Sequence, residues 1–375
     1  GGTVTNRLTA DATTITLQAA DTVAAAIISN SALTSDMSLS GTVSAGYATL
    51  NDQLISGAVT ATTDATTTAA GFTVATTTAG LTNGSSINND RNAMTAQAQG
   101  AVAANTTILA VGGTLSQASA ATTAVANAAV IANIQELANG AAVSATVDTT
   151  TTQAVLTSIT GVVSSSSVST SDNRVQASAD GASASNALTA SATTLTTPAG
   201  PDATPGSTVQ TANAAFAVVN SQDSGTGAVN AKLQDSLTVR TAITGTVTAS
   251  SVDSTGNVQE ALASSNKSAN SLALSATTLN SNGAILNNQE SDAPVTSTIG
   301  ATGADAGVVI ATAAVDSSGS ALTDNLVRSS ATGNVATNTQ NIAATTLTLN
   351  APDATPASTI TGLAGTVNGA FSTLS

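Results

Sequence analysis

The feature that most constrains this chain is an internal repeat, marked by asparagines at fixed spacing. The interval from Asn92 to Asn105 is the same as that from Asn173 to Asn186, and again as that from Asn257 to Asn270. The leading Asn92, Asn173 and Asn257 follow one another at nearly constant intervals, and a shortened fourth copy is assigned to Asn334 through Leu349. A second marker keeps the period, since Gly57-Ala-Val-Thr-Ala61, Ala141-Ala-Val-Ser-Ala145 and Gly227-Ala-Val-Asn-Ala231 recur in step with it. The units are therefore set at residues 57–140, 141–226 and 227–308, with partial copies at 1–56 and 309–375. Repeats of this kind bury their apolar faces by stacking on neighbours.

Within a unit the apolar residues alternate, which is the period of a strand. Val175, Ala177 and Ala179 give one phase, and after Gly181 the phase changes to Leu188, Ala190 and Ala192. Leu272, Leu274 and Ala276 repeat the pattern, as do Ile15 with Leu17 and Leu347 with Leu349, and Thr and Ser occupy the alternate positions. Clusters such as Asn83-Gly-Ser-Ser and Asp253-Ser-Thr-Gly-Asn257 supply the turn residues between strands. The expected fold class is all-β: a repeat protein, a β-solenoid or β-helix of about four units, each of about 80 residues, with tandem small β-sandwich domains as the alternative. Ser116 to Asn139 is Ala-rich with Val130, Ile134 and Leu137 at helical spacing, so a short helical insertion is expected there, with counterparts around Thr211 to Asn220 and Asp21 to Asn30.

Composition excludes most chemistry. The 375 residues contain no His, no Cys and no Trp, and only 7 Lys plus Arg. There is no imidazole base, no thiolate and no soft-metal ligand, so the chain is expected not to be an enzyme and to carry no cofactor. The formal charge of −14, with 21 acidic residues spread thinly and no basic patch, disfavours nucleic acid. No run approaches the length of a membrane span. Full disorder is disfavoured because only 7% of residues are charged and mean hydropathy is positive. With one Tyr and three Phe, the interior must be filled by small side chains, which suits a thin layered fold.

The positions singled out are structural. Asn92, Asn173, Asn257 and their partners Asn105, Asn186 and Asn270 are expected to form side-chain amide ladders along a stack. Tyr47 and Phe216 fall in matching segments, Ala45-Gly-Tyr-Ala-Thr-Leu-Asn-Asp-Gln53 and Ala214-Ala-Phe-Ala-Val-Val-Asn-Ser-Gln222. Phe216 and Phe371 each follow a Pro-Asp-Ala-Thr-Pro element, at Pro201–Pro205 and Pro352–Pro356, and all three aromatics read as a recurrent core plug. Asp202 and Asp353 read as turn caps. Arg7, Arg91 and Arg174 stand near the start of repeats, where pairing with an acid such as Asp90 or Asp172 would hold register. Asn83, Asn105 and Asn266 match the glycosylation tripeptide.

The segments Gly227-Ala-Val-Asn-Ala231, Asp172-Asn-Arg-Val-Gln-Ala-Ser-Ala-Asp-Gly181 and Gly57-Ala-Val-Thr-Ala-Thr-Thr-Asp64 resemble secreted bacterial β-repeat adhesins, of the kind that anchor an alphaproteobacterial holdfast. That resemblance implies an extracellular location at the cell surface, fibre formation and attachment, with no catalytic residues to carry over. The expected function is a structural subunit of an extracellular fibre or adhesin. Its principal partner is itself, head to tail, because neither end of the repeat array carries a visible polar cap; a surface polysaccharide or an outer-membrane anchor are further candidate partners. Two alternatives stand beside it: a flagellin-like filament protein, which needs long helices at both termini, and a calcium-dependent surface-layer or carbohydrate-binding protein, whose acidic turns bind calcium.

Overall fold

The computed structural model describes residues 2–12, 15–17, 45–63, 74–117, 127–148, 153–197, 211–212, 214–234, 238–292, 294–300, 307–349, 358–359 and 371–374. Every regular element among them is a β-strand. Five parallel sheets are built from strands contributed by successive passes of the chain. The long sheet aligns Gly2–Ala12, Ala93–Val111, Arg174–Thr196, Val258–Ser281 and Leu326–Leu349. An Asn/Gln sheet aligns Ala45–Ile55, Asn127–Leu137, Phe216–Asp223, Gly283–Glu290 and Phe371–Leu374. A valine sheet follows with Val59–Thr63, Val143–Val147, Val229–Leu233 and Val295–Ile299, then a fourth sheet containing Val74–Thr78, Gln153–Ile159, Thr238–Thr248 and Gly307–Asp316. A serine sheet of Ser86–Asn88, Ser167–Ser169, Ser251–Asp253 and Gly319–Ala321 leads back to the long sheet.

The chain visits these sheets in the same order on each pass, and each pass lies in register on the one before. The valine sheet pairs Val59, Val143, Val229 and Val295. Among the described residues every sheet pairs strands from different copies, which overturns the alternative of tandem small β-sandwich domains. The expected helical insertion is also corrected: Asn127–Leu137 is a strand, and so are Thr211–Ala212 and Phe216–Asp223 within its proposed counterpart, while Asp21 to Asn30 lies outside the described residues. The reason is burial on both faces. Ala128 through Ile134 are all buried, and a strand covered on both sides loses the polar alternation that distinguishes it from a helix.

The long strands bend at one column. Burial passes from Val175, Ala177 and Ala179 to Ala182 and Ala184, so the inward parity changes at Gly181. A Cβ at Gly181 would stand 2.4 Å from the Ser265 carbonyl oxygen, and one at Gly100 would stand 2.2 Å from that of Gly181. At Gly100 and Gly181 the backbone of the next pass lies too close for a side chain, whereas the pass after Gly181 carries Ser265 in the same column.

The interior is divided in two. One apolar compartment packs Val175, Ala177 and Ala179 of the long sheet against Val143, Val229 and Leu233 of the valine sheet. The other packs Leu188, Leu195, Leu272 and Leu279 against Ile131, Phe216 and Ile285 of the Asn/Gln sheet.

Candidate functional site

Between the two compartments stands a wall of amides. In the long sheet Asn105, Asn186, Asn270 and Asn338 form one column, each Nδ2 donating to the Oδ1 of the next pass at 2.7, 2.8 and 2.8 Å. In the facing sheet Asn51, Asn133, Asn220 and Asn287 do the same, at 2.7 Å per step. The columns are tied crosswise: Asn105 donates to Asn133 at 3.0 Å, Asn186 to Asn220 at 3.2 Å and Asn270 to Asn287 at 3.2 Å. Beside them Gln53, Gln135, Gln222 and Gln289 form a third column whose donors point the opposite way, each upper Nε2 giving to the Oε1 below. Each Gln also donates to a long-sheet carbonyl, those of Val102, Ser183, Lys267 and Val335. The amides thereby answer the cost of burying polar groups.

A second asparagine column turns the corner between the serine sheet and the long sheet. Asn173 Oδ1 accepts both the backbone N–H and the side-chain amide of Asn92, and Asn257 Oδ1 accepts the same pair from Asn173. The column ends on Asn325, which accepts both donors of Asn257 at 2.9 and 3.0 Å. The fourth leading asparagine is therefore Asn325, 68 residues after Asn257, and not Asn334, which pairs with Asn266 instead. The shortening has one source. Asn282 alone links the fourth long strand to the Asn/Gln sheet, where residues 197–215 make the same connection one pass earlier. Each corner is entered by a residue of positive φ: Arg91, Asp172, Gly256 and Asp324, at 60, 56, 68 and 57°.

Tyr47, Ala129, Phe216, Gly283 and Phe371 share one register position in the Asn/Gln sheet. Phe216 is fully buried with Ala and Gly in the passes on either side, so room for the ring comes from its neighbours in the stack. Asp202, Asp353 and the two Pro-Asp-Ala-Thr-Pro elements lie outside the described residues.

Arg174 pairs across passes with Glu260 rather than Asp172, at 3.2 Å, and Arg328 reaches the other Glu260 oxygen at 3.0 Å from the opposite side. Asp90 instead accepts from the Ser169 hydroxyl and the Ser171 N–H. Arg91 occupies the positive-φ corner, and Arg7 aligns with Thr106 in the long sheet. Of the glycosylation tripeptides, Asn105 and Asn266 are buried and closed to a glycan, whereas Asn83 stands exposed at a positive-φ turn.

One constellation was invisible in the sequence. Glu136, Asp223 and Glu290 occupy one position in three successive passes, with Asp52 and Asp292 nearby. Burial raises the Asp52, Glu136 and Asp223 carboxyls above their ordinary values; Asp223 and Asp52 push Glu136 further up, and Asp292 does so for Asp223 against the lowering effect of the Gly225 N–H. Among the described residues no three acidic or other ligating side chains gather to hold a metal ion, and no helix is long and apolar enough to cross a membrane. Comparison with protein-family models, with curated proteins and with solved structures finds no match to this chain.

Proposed function

We propose that the chain is a β-solenoid and serves as a non-catalytic structural subunit of an extracellular fibre or cell-surface adhesin that assembles head to tail. The observation that carries this reading is the exposure of apolar positions in Leu326–Leu349 of the long sheet and Gly307–Asp316 of the fourth sheet. Leu347 is 46% exposed where Leu279, Leu195 and Leu115, its equivalents in earlier passes, are at 0%. Val315 is 51% exposed where Val247 and Val163 are at 0%. An edge strand with open apolar columns is a template for another chain. The recurrent Asn and Gln side chains bond to one another and to the backbone between passes, which suits a scaffold rather than a catalyst.

Electron microscopy of the purified protein tests the reading. Unbranched fibres whose length grows with concentration are expected. A protein that stays monomeric through the millimolar range by sedimentation overturns the assembly.

A further inference from the structure

Asn-Gly pairs stand at Asn83, Asn139, Asn282 and Asn368. Such a pair can close on itself, because the glycine nitrogen reaches the side-chain carbonyl and the missing Cβ lets the backbone turn to it. The structure separates the first three, and Asn368 lies outside the described residues. Asn83 is exposed, but its attacking nitrogen is engaged: the Gly84 N–H donates to the Ser165 carbonyl of the next pass at 2.7 Å. Asn282 is buried away from water, and its Oδ1 accepts the Ala215 N–H at 2.6 Å. Asn139 differs from both. It is exposed together with Gly140 on the turn from the Asn/Gln sheet to the valine sheet, which the Ala141 N–H closes on the Ala138 carbonyl at 2.8 Å. Gly140 has a φ of 82° there. Among the described residues nothing accepts the Gly140 N–H, and a Cβ at Gly140 would meet nothing within 4 Å. From the next pass, Thr226 Oγ1 donates to Asn139 Oδ1 at 3.2 Å.

We infer that Asn139-Gly140 is a site of spontaneous self-modification, a deamidation assisted by the Thr226 hydroxyl. The Gly140 nitrogen, its proton taken by hydroxide, bonds to Asn139 Cγ, and an electron pair of the C=O bond moves onto Oδ1. The Thr226 O–H already points at that oxygen, so its hydrogen bond strengthens as negative charge develops there. The pair then returns, the Cγ–Nδ2 bond breaks, and Nδ2 leaves as ammonia with a proton from water. A second water opens the five-membered imide at either carbonyl. Breaking the new Cγ–N bond leaves an aspartyl residue, and breaking the original backbone C–N bond leaves an isoaspartyl one. The net change turns an amide and water into a carboxylic acid and ammonia, with no oxidant or reductant. The product places a carboxylate on the turn that follows Glu136, which already faces Asp223 and Asp52, so like charge is added to the acidic column. The isoaspartyl form also lengthens the backbone of a turn whose Ala138 N–H holds the Ile55 carbonyl of the previous pass at 2.8 Å. One pass on, Gly225-Thr226-Gly227 stands in the matching place and has no amide side chain, so the change is confined to one turn.

Peptide mapping by mass spectrometry of the wild-type protein held in mildly alkaline buffer tests this. The mass gain of an amide turned to an acid should build up in the peptide containing Asn139 well before those containing Asn83 or Asn282, with aspartyl and isoaspartyl products resolved by chromatography. In urea-unfolded protein the three sites should converge toward one rate, since only the fold distinguishes them. T226V removes the hydroxyl and keeps the branched shape, and it should slow conversion at Asn139 about fivefold, the rate equivalent of one modest hydrogen bond. T226S, which retains the hydroxyl, should convert at the wild-type rate. Conversion at Asn83 or Asn282 that keeps pace with Asn139 in the folded protein, or a ranking that urea leaves unchanged, overturns the site. A T226V rate equal to or above wild type overturns the assistance by Thr226. The wild-type ranking needs no substitution, so misfolding of a variant cannot shelter the proposal.

Discussion

Asn186 and Asn220 face each other across the interior at 3.2 Å, and each is also a rung in its own vertical column. The crosswise bond uses one Asn186 amide hydrogen and the step to Asn270 uses the other, while its oxygen accepts from Asn105. The wall therefore joins two sheets and several passes at once.

Replacing Asn186 by Leu keeps the volume roughly constant and removes all three bonds. Asn105 loses an acceptor, and Asn270 and Asn220 each lose a donor. Unsatisfied buried groups cost about 1 to 3 kcal/mol each, so N186L should lower stability by about 3 kcal/mol in denaturant unfolding. The same change at Asn338, which accepts from Asn270 on the open side of the stack, should cost well under half as much. Equal losses at the two positions would mean that the column acts through packing rather than hydrogen bonding.

Leu272 is fully buried between Leu188 on the previous pass and Gln340 on the next. L272A should cost about 2 to 5 kcal/mol through the cavity it leaves. L272D should cost more, because the carboxylate enters the apolar compartment without a partner. Wild-type melting behaviour in L272D would remove Leu272 from the core.

These residues also show how much of the fold was legible in the sequence. Strands with one solvated face, such as the one through Val175, Ala177 and Ala179, announce themselves by alternation, and the change of phase at Gly181 marks the bend. The Asn127–Leu137 strand could not be read this way, because both its faces are covered. Asn325 was hidden by a shortening elsewhere, at Asn282, which moved the fourth marker out of step. The amides that complete the wall, Asn51, Asn133, Asn220 and Asn287, are 82, 87 and 67 residues apart. Only the strand register brings them to one column, and the same holds for Glu136, Asp223 and Glu290.

The close approach of successive backbones gives a paired prediction. G181A places a methyl against the Ser265 carbonyl, a rigid backbone atom 2.4 Å away, so the pass must shift. A loss of about 1 to 3 kcal/mol is expected, the usual range for overpacking. Gly333 is the matching glycine of the last pass, and a methyl there meets nothing within 4 Å. G333A should therefore leave the monomer's melting temperature nearly unchanged. Where a second copy extends the stack through this column, the same variant should raise the concentration needed for fibres.

The acidic column predicts the pH dependence. Asp52, Glu136 and Asp223 have carboxyl pKa values raised above the ordinary 3.8 and 4.5, chiefly by burial, and Glu136 further by Asp223 and Asp52. The ion pairs of Arg174 and Arg328 with Glu260, and of Lys267 with Asp180, do not include these three acids. A raised carboxyl pKa means that the folded chain binds the proton more tightly than the unfolded chain. The stabilisation is full below the unfolded values and is lost as pH rises through the folded ones. These three groups should therefore make the protein more stable near pH 4 than at pH 7, opposite to the trend of an acid paired with a cation. E136Q removes the charge that faces both Asp223 and Asp52 and should raise the melting temperature at pH 7 while flattening its increase on acidification. Differential scanning calorimetry across pH 4 to 7 checks this directly; a wild-type melting temperature that falls on acidification, with E136Q following in parallel, would show that the column does not govern stability in this range.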